Sequence, residues 1–351
     1  MSNPLRVGVI GAGLAAGKHL GGYRLIGQHA RVVAISDVDE NAARRRSREA
    51  GIESVYTDPL RMIREAPIDA VDICTINSEH AALAIAAADA GNHVLVEKPM
   101  ATTLSDCRAM IDAASRAGVK LMVAMNQRFK GNYRAARRAI AHGEIGAVRA
   151  ARMSAIMDVS AVPEGRWVFD GRRAGGGVLV SYAVSRIDLL RWLVGGVNRV
   201  FAICRTGDKR FTNGAEDHAA AMLEFDNGAV AELFASFLPT QLPDGESFTI
   251  IGDGGTIHAP GATVRSNEPV ALATGGSGRF LPLDPDRGDL PTDDMFANTI
   301  AHFAECCRSG AEPMCSGADG IRTMRVVMAA YESAASGQAV DLSRWPSPSS
   351  I

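Results

Sequence analysis

The strongest constraint on the fold is an alternation of short apolar runs and helical patterns in the first third of the chain. The apolar runs lie at 5–11, 31–36, 70–75, 93–97 and 119–125. The helical patterns between them cover 14–26, 40–50, 80–90 and 104–117. Because apolar strands separated by helices are typical of a parallel sheet covered on both faces, residues 1–125 are predicted to form a doubly wound, Rossmann-type α/β domain.

A different pattern begins after residue 125. A basic helical stretch precedes extended runs at 199–206, 217–225, 229–237 and 247–252. The second and third runs are joined by Asp226-Asn227-Gly228, a hairpin signal. Residues 267–291 are rich in Gly, Pro and Asp and are predicted to be a surface loop, and two helical patterns close the chain. Residues 126–351 are therefore predicted to form an α+β domain with a large open, mainly antiparallel sheet.

Charge and cysteine content narrow the range of partners. The chain has 37 Lys plus Arg against 39 Asp plus Glu, and this balance argues against a general nucleic-acid binder. Its apolar runs are too short and interrupted to span a membrane. The six cysteines have no metal-ligand spacing and no signal peptide is evident. We therefore expect free thiols in a cytoplasmic protein, and no metal site.

A glycine-rich turn follows the first strand pattern and opens the first helical pattern. The residues from Gly11 to Ala16 fit G-x-G-x-x-G/A, where Gly11 allows a tight turn and Gly13 allows close approach to a pyrophosphate. Leu14 and Ala15 begin the helix whose N-terminus faces the phosphates. The second strand ends at Asp37, whose carboxylate would accept from ribose hydroxyls and repel a 2′-phosphate, so NAD is favoured over NADP. A purely structural glycine turn is the alternative.

A lysine ends the fifth strand pattern, in Glu97-Lys98-Pro99. Ligands of open parallel sheets bind at the carboxyl ends of strands, so Lys98 is placed where a nicotinamide and a substrate would meet. Its ammonium could polarise a substrate oxygen, and a desolvated lysine can exchange protons. The alternative is an ordinary surface lysine at a strand end.

These segments resemble the Gfo/Idh/MocA oxidoreductases, a family named for glucose–fructose oxidoreductase and inositol 2-dehydrogenase. The resemblance covers nearly the whole chain. It is carried by GVIGAGLAAGKH (8–19), by the segment from DAVDICTINSEH to EKPMATTLSD (69–106), by NQRF (126–129), GEIGAVRAAR (143–152) and AGGGVLVSYAVSRIDLLRWLVG (174–195), and by the closing block at 297–342.

The resemblance implies an NAD(H)-dependent oxidoreductase that acts on a secondary alcohol or ketone of a sugar, polyol or inositol. Beyond the glycine turn and Asp37, the implied cofactor contacts are Thr75, Ile76, Asn77, His80, Glu97, Lys98 and Asn126. Ile76 departs from the family, which usually has proline there. Arg128 is implied at the floor of the cleft, and a structural ion pair is its alternative. Thr75 and Asn77 could equally be turn formers, and His80 could simply open a helix.

The helical stretch after the glycines at 175–177 departs from the family pattern. Relatives commonly read D-x-G-x-H-x-x-D, with the Asp and His on one face and aimed at the substrate carbon. Here Ser181 and Ser185 occupy those positions, and only Asp188 is kept. A serine is not a free-standing base near neutral pH, so proton transfer would fall to Lys98, to water or to another residue. The predicted substrate contacts are Ser181, Ser185, Arg128, Trp167 and Tyr182.

The missing Asp and His leave two alternatives to a simple dehydrogenase. One is an enzyme that holds NAD tightly and uses transient oxidation for isomerisation, elimination or glycoside hydrolysis. The other is a non-catalytic ligand-binding relative.

Trp167 offers a flat wall for a sugar ring, or is an ordinary core aromatic. The resemblance also assigns substrate binding and oligomerisation to residues 126–351, with the open sheet pairing in a homodimer or homotetramer.

Overall fold

Two compact units make up the protein. The computed structural model describes residues 3–238, 246–259, 270–276 and 278–345. Unit 1 comprises Met1–Phe129 and Asp289–Ile321, and unit 2 comprises Lys130–Gly288 and Arg322–Ile351. These units differ from a contiguous division at residue 125, because the chain re-enters unit 1 after residue 288. In the described ranges, no helix is long and apolar enough to cross a bilayer.

Unit 1 is built on a six-stranded parallel sheet with the order β3-β2-β1-β4-β5-β6. The strands are β1 (Leu5–Ile10), β2 (Ala30–Ser36), β3 (Ser54–Tyr56), β4 (Ala70–Ile73), β5 (His93–Val96) and β6 (Leu121–Val123). The helices are α1 (Leu14–Leu25), α2 (Glu40–Ala50), α3 (Pro59–Glu65), α4 (His80–Asp89), α5 (Leu104–Ala117) and, from the re-entering segment, α9 (Met295–Ser309). The predicted doubly wound sheet is confirmed. Its order reverses between β1 and β4, where such sheets bind ligands.

Two elements of this unit were not predicted from the sequence. The strand β3 pairs only with β2 among the described strands, and its residues are half-buried. Because it has three residues, it is too short to show a hydrophobic period in the sequence. The helix α3 has seven residues, but its start carries a readable signal. Pro59 lies in the first turn, and the Asp58 side chain accepts from the amides of Leu60 and Arg61.

The re-entering helix α9 packs within unit 1 against α1. A Cβ on Gly22 of α1 would lie 2.8 Å from the amide nitrogen of Ala297, so glycine permits the close approach. The Asn298 side chain donates to the carbonyl oxygen of Phe129 at 3.1 Å. These contacts explain why residues from near the C-terminus belong to unit 1.

Unit 2 contains a nine-stranded sheet with the order β14-β13-β12-β11-β7-β10-β9-β8-β15. Its strands are β7 (Val148–Ile156), β8 (Val197–Arg205), β9 (His218–Phe225), β10 (Val230–Ser236), β11 (Glu246–Gly252), β12 (Gly255–Ala259), β13 (Ala271–Thr274), β14 (Leu281–Pro282) and β15 (Val340–Asp341). Its helices are α6 (Gly131–Ala141), α7 (Gly171–Ala174), α8 (Val184–Leu193) and most of α10 (Gly317–Ser336). The sheet is mainly antiparallel, as predicted, but β7 and β10 pair in parallel.

The hairpin expected at 226–228 is confirmed, and the loop expected at 267–291 is partly wrong. Between β9 and β10 the amide of Phe225 donates to the carbonyl of Ala229, and Gly228 has φ +82°. The predicted loop contains β13 and β14, which are ordered by pairing with neighbouring strands rather than by their own composition. Residues 267–269 and 277 of that prediction lie outside the described residues.

Candidate active site

The glycine turn connects β1 to α1 beside the end of β4. Gly11 has φ +102°, and a Cβ there would lie 2.5 Å from the carbonyl oxygen of Cys74. Among the described residues, no heavy atom lies within 4 Å of a Cβ placed on Gly13, and no side chain caps α1. Leu14 is 75% exposed although it is apolar. Open space at an uncapped helix N-terminus, next to an exposed apolar side chain, fits a dinucleotide with its pyrophosphate at the turn.

Asp37 lies against this turn at the end of β2. Its Oδ2 accepts from the amide of Ala12 at 2.7 Å, and its Oδ1 accepts from the amide of Asp39 at 2.9 Å. Because a carboxylate has about four lone-pair positions, acceptor capacity remains for ribose hydroxyls. Arg46 reaches the same turn from α2 and donates from Nη2 to the carbonyl of Gly13 at 3.1 Å.

The residues after β4 and after β5 are brought together through a buried histidine. Thr75 and Ile76 are half-buried, and Asn77 is buried in the short turn that precedes α4. His80 is fully buried, and its Nδ1 lies 2.8 Å from the carbonyl oxygen of Pro99. Burial lowers the pKa of His80, so its ring is neutral and Nδ1 donates to that carbonyl.

A second buried histidine connects α1 to the fourth and fifth strands. The Nδ1 atom of His19 lies 2.8 Å from Oδ2 of Asp72, and its Nε2 lies 3.0 Å from Oε1 of Glu97. Tyr23 donates to the same Asp72 oxygen at 3.0 Å. Burial alone would lower the pKa of His19, but the Asp72 carboxylate raises it well above its ordinary value. Both ring nitrogens face carboxylates, so His19 is an imidazolium that donates from both.

Glu97 connects His19 to the backbone of Lys98. Its Oε2 accepts from the backbone amide of Lys98 at 3.0 Å. Burial would raise the pKa of Glu97, but the hydrogen bond and charge of His19 and the charge of Lys98 lower it from 4.5 to about 2. The predicted cofactor contact Glu97 is thus a buried carboxylate that fixes the main chain of Lys98. Lys98 itself is half-buried.

The same network contains three atoms with metal-binding potential. His19, Asp72 and Cys74 place a ligand atom each within 4.8 Å of one another. Burial, and then the Asp72 carboxylate, raises the pKa of the Cys74 thiol to about 12. A protonated thiol and an imidazolium are poor metal ligands, since both must lose a proton to bind. The chemistry of this group favours a hydrogen-bond network.

The stability of the fold should depend on pH through this network. The unfolded chain releases the His19 proton near pH 6.5, whereas the folded protein keeps it, so stability falls as pH rises from about 6.5 towards the raised folded-state pKa. Glu97 acts at the other end, because its contribution is lost as pH falls from 4.5 towards about 2. Urea unfolding from pH 6 to 9 should show a flatter pH dependence for His19→Gln than for wild type. Parallel curves would contradict the assignment of a charged His19.

The turn Asn126–Phe129 follows β6 and holds two predicted site residues. Asn126 is 8% exposed, and its Oδ1 receives no hydrogen bond from the described residues. A buried acceptor at the end of a sheet strand fits a bound donor group. Arg128 donates to the carbonyl of Met314 at 3.1 Å and pairs with Asp319 at 3.2 Å. These contacts are those of a structural ion pair, which was the alternative to substrate binding. Substrate contact by Arg128 stays a prediction.

In unit 2, a glutamate explains the three glycines at 175–177. Oε2 of Glu216 accepts from the amide of Gly177 at 2.7 Å, and its Oε1 accepts from the amide of Leu179 at 2.7 Å. The Tyr331 hydroxyl donates to Oε1 at 3.0 Å. Gly176 has φ +138°, and a Cβ on Gly177 would overlap the backbone of Glu216. The glycines therefore let the chain close around a carboxylate that caps the following helix.

That helix is not the regular α-helix predicted from the sequence. Its first part, Leu179–Ala183, is a π-helical turn, and α8 begins at Val184. A π-turn carries more residues than an α-turn, so the α-helical repeat does not define the face shared by Ser181 and Ser185. Such turns inside helices occur frequently at functional sites.

The two serines are buried rather than open to solvent. Ser185 is 7% exposed, donates from Oγ to the carbonyl of Tyr182 at 3.1 Å and accepts from Nη1 of Arg186 at 2.8 Å. Because a hydroxyl has one proton and two lone pairs, one acceptor position remains for a ligand. Ser181 lies in the π-turn and is 8% exposed.

The other residues predicted in this region all lie in unit 2. Asp188 is buried and accepts from the Thr323 hydroxyl at 3.0 Å, which ties α8 to α10. Tyr182 is half-buried, with the guanidinium of Arg186 lying 5.4 Å from its ring centroid. Trp167 is half-buried in the short turn Trp167–Phe169. Substrate contact by Trp167 and Tyr182 stays a prediction.

Sequence reasoning assigned no role to several residues that organise these sites. They are Tyr23, Asp72, Arg186, Glu216 and Tyr331. One signal was available, because Asp72 is a charged residue inside an otherwise apolar strand, and a buried charge requires a partner. His19 was noted as part of a motif, but its distant partners could not be read from the chain.

Comparison with known proteins identifies the family of both parts of the chain. Models for the oxidoreductase family Gfo/Idh/MocA match its NAD-binding Rossmann fold at residues 5–125 and its C-terminal alpha/beta domain at 137–342. The myo-inositol 2-dehydrogenase of Thermotoga maritima is 29% identical over 343 residues, which cover 96% of this chain and 98% of that protein. The 1,5-anhydro-D-fructose reductase of Ensifer adhaerens is 30% identical over 341 residues, which cover 96% and 98%.

A solved structure shows the same architecture. The complex of levoglucosan dehydrogenase with NADH superposes with a TM-score of 0.86 at 27% identity, over 97% of this chain and 99% of that one. The two family models together span most of the chain, and they match the parallel and the mixed sheet in turn. The chain therefore belongs to the Gfo/Idh/MocA oxidoreductase family.

Proposed function

We propose that this protein is an NAD(H)-dependent oxidoreductase that interconverts a secondary alcohol and a ketone of a sugar, polyol or inositol. The observation that carries the proposal is the Lys98 turn, held at the carboxyl end of β5 by Glu97 and His80 beside an intact glycine turn. The relatives named above act, by their names, on inositol, on an anhydro sugar and on levoglucosan.

Bound NAD supplies the carbon that accepts or returns a hydride. Lys98 holds the reacting oxygen and stabilises the negative charge that develops on it. The Ser185 proton is committed to the carbonyl of Tyr182. During oxidation the hydroxyl proton would therefore pass to an uncharged Lys98 amine, or to a water that Lys98 orders, and it would return by the same route during reduction. Ser181, Ser185, Arg128, Trp167 and Tyr182 remain the proposed substrate contacts.

The dehydrogenase proposal is favoured over the two alternatives raised by the missing Asp and His. The relatives above are named dehydrogenases and a reductase, which perform net redox chemistry. Isothermal calorimetry tests the common requirement, since NAD or NADH must bind. Absence of binding would reject the proposal, and cofactor that survives dialysis without net NADH formation would favour recycling. A cytoplasmic location remains part of the proposal.

We further propose that NAD is preferred over NADP because of Asp37. Changing Asp37 to Ser should shift the ratio of kcat/KM for NADP over NAD upward by roughly 10- to 100-fold, since a carboxylate beside a 2′-phosphate is strongly repulsive. Arg46, which already lies at the turn, would then attract the added phosphate. Steady-state kinetics with both cofactors measures this ratio. Asp39→Ser removes the same charge two residues away and should leave the ratio within about threefold; equal shifts in both variants would refute the role of Asp37.

We infer that a second copy of the chain covers the outer face of the unit 2 sheet. Alternate residues are exposed there, including Met222 at 51% and Phe234 at 45%, and Phe201 pairs with Met222 across β8 and β9. Arg152 and Glu232 form an ion pair on the same face. Exposed apolar clusters mark interfaces, and one patch can serve both partners of a two-fold dimer.

Light scattering after size exclusion should therefore show a homodimer or homotetramer. Met222→Glu should shift the protein to a smaller species, because it places a charge in the apolar patch. Leu60→Glu makes a matched change at an exposed unit 1 residue and should leave the mass unchanged. A monomeric wild type at micromolar concentration would contradict the inference.

A further inference from the structure

Two buried histidines hold the Lys98 turn, and they differ in protonation. His80 is neutral and donates to the carbonyl of Pro99, just after Lys98. His19 is charged and holds Glu97, just before Lys98. A buried ion network therefore holds the backbone amide of Lys98, and a neutral imidazole ring holds the carbonyl of Pro99.

We propose that His19 is a positioning residue for Lys98. Its imidazolium joins Asp72, in the buried strand β4, to Glu97, and Glu97 in turn holds the backbone amide of Lys98. The direction of the Lys98 side chain is thus set from α1 and β4, through a residue that does not itself touch Lys98 in any described hydrogen bond. The effect of His19 on catalysis rests on the function proposed for Lys98. The effect of His19 on the position of Lys98 does not rest on that function.

The charges explain why one histidine is required. Carboxylates have only acceptors, so Asp72 and Glu97 can share a buried side chain only if it donates from two atoms. An imidazolium does so, and its charge offsets one of the two negative charges. Without it, Glu97 must rotate or take up a proton, and either change disturbs the oxygen that accepts from the Lys98 amide.

A purely structural role for His19 makes a different prediction, and Tyr23 separates the two. Tyr23 donates to the same Asp72 oxygen as His19, with a similar distance of 3.0 Å, but Glu97 is not its partner. Tyr23→Phe should therefore weaken the fold near Asp72 without moving Lys98. His19→Gln should do both, because glutamine cannot donate to Asp72 and to Glu97 in the geometry of the ring.

The position of Lys98 can be followed without any substrate. The chain has five lysines, Lys18, Lys98, Lys120, Lys130 and Lys209, so reductive methylation with ¹³C-formaldehyde yields a small set of NMR signals. The Lys98 signal is identified by its loss in Lys98→Arg. It should move in His19→Gln and stay in place in Tyr23→Phe. An unmoved Lys98 signal in His19→Gln would overturn the proposal.

Kinetics gives a second readout through a double-mutant cycle. His19→Gln should lower kcat by about 100-fold, as expected for a displaced catalytic group, with little change in the KM for NAD. In a Lys98→Met background, His19→Gln should lower kcat by less than about threefold, because the lysine through which His19 acts has been removed. Equal losses in both backgrounds would show a general structural effect and reject the proposal.

The two readouts separate this inference from the proposed function. If wild type shows no NAD-linked turnover, the proposed function fails, and the NMR signal still decides the role of His19. If His19→Gln does not fold, Glu97→Gln replaces it. An amide has one acceptor oxygen for two donors, the ring of His19 and the Lys98 amide, so this variant should also move the Lys98 signal. An unmoved signal there overturns the proposal.

Discussion

Replacing Lys98 with methionine is expected to lower kcat for sugar or polyol oxidation by roughly 10²- to 10⁴-fold, the range found for loss of a positioned acid–base group. Methionine keeps a long flexible stem and removes the ammonium. The loss should be large because the family resemblance implies a histidine at position 185, and this chain lacks it. Ser185 has replaced it, and its proton is already donated to a backbone carbonyl.

The measurement is steady-state kinetics with a substrate identified from a sugar and polyol panel. Lys120→Met serves as the matched control, since Lys120 immediately precedes β6 and pairs with Glu312 at 3.8 Å. Because Lys120 lies at the amino end of β6, away from the carboxyl ends of the strands, its replacement should leave kcat nearly unchanged. If Lys98→Met retained kcat within a few-fold of wild type, the catalytic role of Lys98 would be refuted.

The second large effect is expected from Gly177→Ala, which should cost more than about 4 kcal/mol of unfolding free energy or prevent folding. A Cβ at this position would lie 1.8 Å from the carbonyl oxygen of Glu216 and 2.3 Å from its amide nitrogen. Both are backbone atoms of a buried residue two positions before β9, so no flexible side chain can move aside. The clash would also break the capping of the π-turn by the Glu216 carboxylate.

Urea denaturation followed by circular dichroism measures the loss. Gly21→Ala is the matched control, because Gly21 lies inside α1 and a Cβ there would meet no described heavy atom within 4 Å. Alanine is favoured over glycine inside a helix, so this variant should gain about 0.5–1 kcal/mol. A Gly177→Ala protein as stable as wild type would disprove the close packing of Glu216 against the glycines.

The parallel sheet was predictable because its longer strands and helices can be recognised from the local sequence. Strands buried on both faces are almost entirely apolar, and the intervening helices are long enough to show their period. The glycine turn, Asp37 and Lys98 could be placed for the same reason, since each directly follows such a strand. Topology then brings the strand ends to one edge of the sheet.

What could not be predicted depends on contacts between residues far apart in the chain. The bridge from Asp72 through His19 to Glu97 spans 53 and 78 positions, and no local pattern records it. The π-turn at Leu179–Ala183 arises where Glu216, some 37 positions away, caps the helix. Apolar spacing suggested a regular helix there, because the cap acts on backbone amides and leaves no mark on side-chain pattern.

The activity proposed for this protein is NAD-linked oxidation of a carbohydrate hydroxyl without the Asp and His that the family resemblance implies at positions 181 and 185. The most direct test is NADH formation by the purified protein with NAD and a panel of inositols, polyols, aldoses and anhydro sugars, run beside Lys98→Met. We expect turnover with at least one member of the panel and its loss in Lys98→Met. Bound NAD without turnover on the panel or on the corresponding ketones with NADH, or turnover that survives the variant, would contradict it.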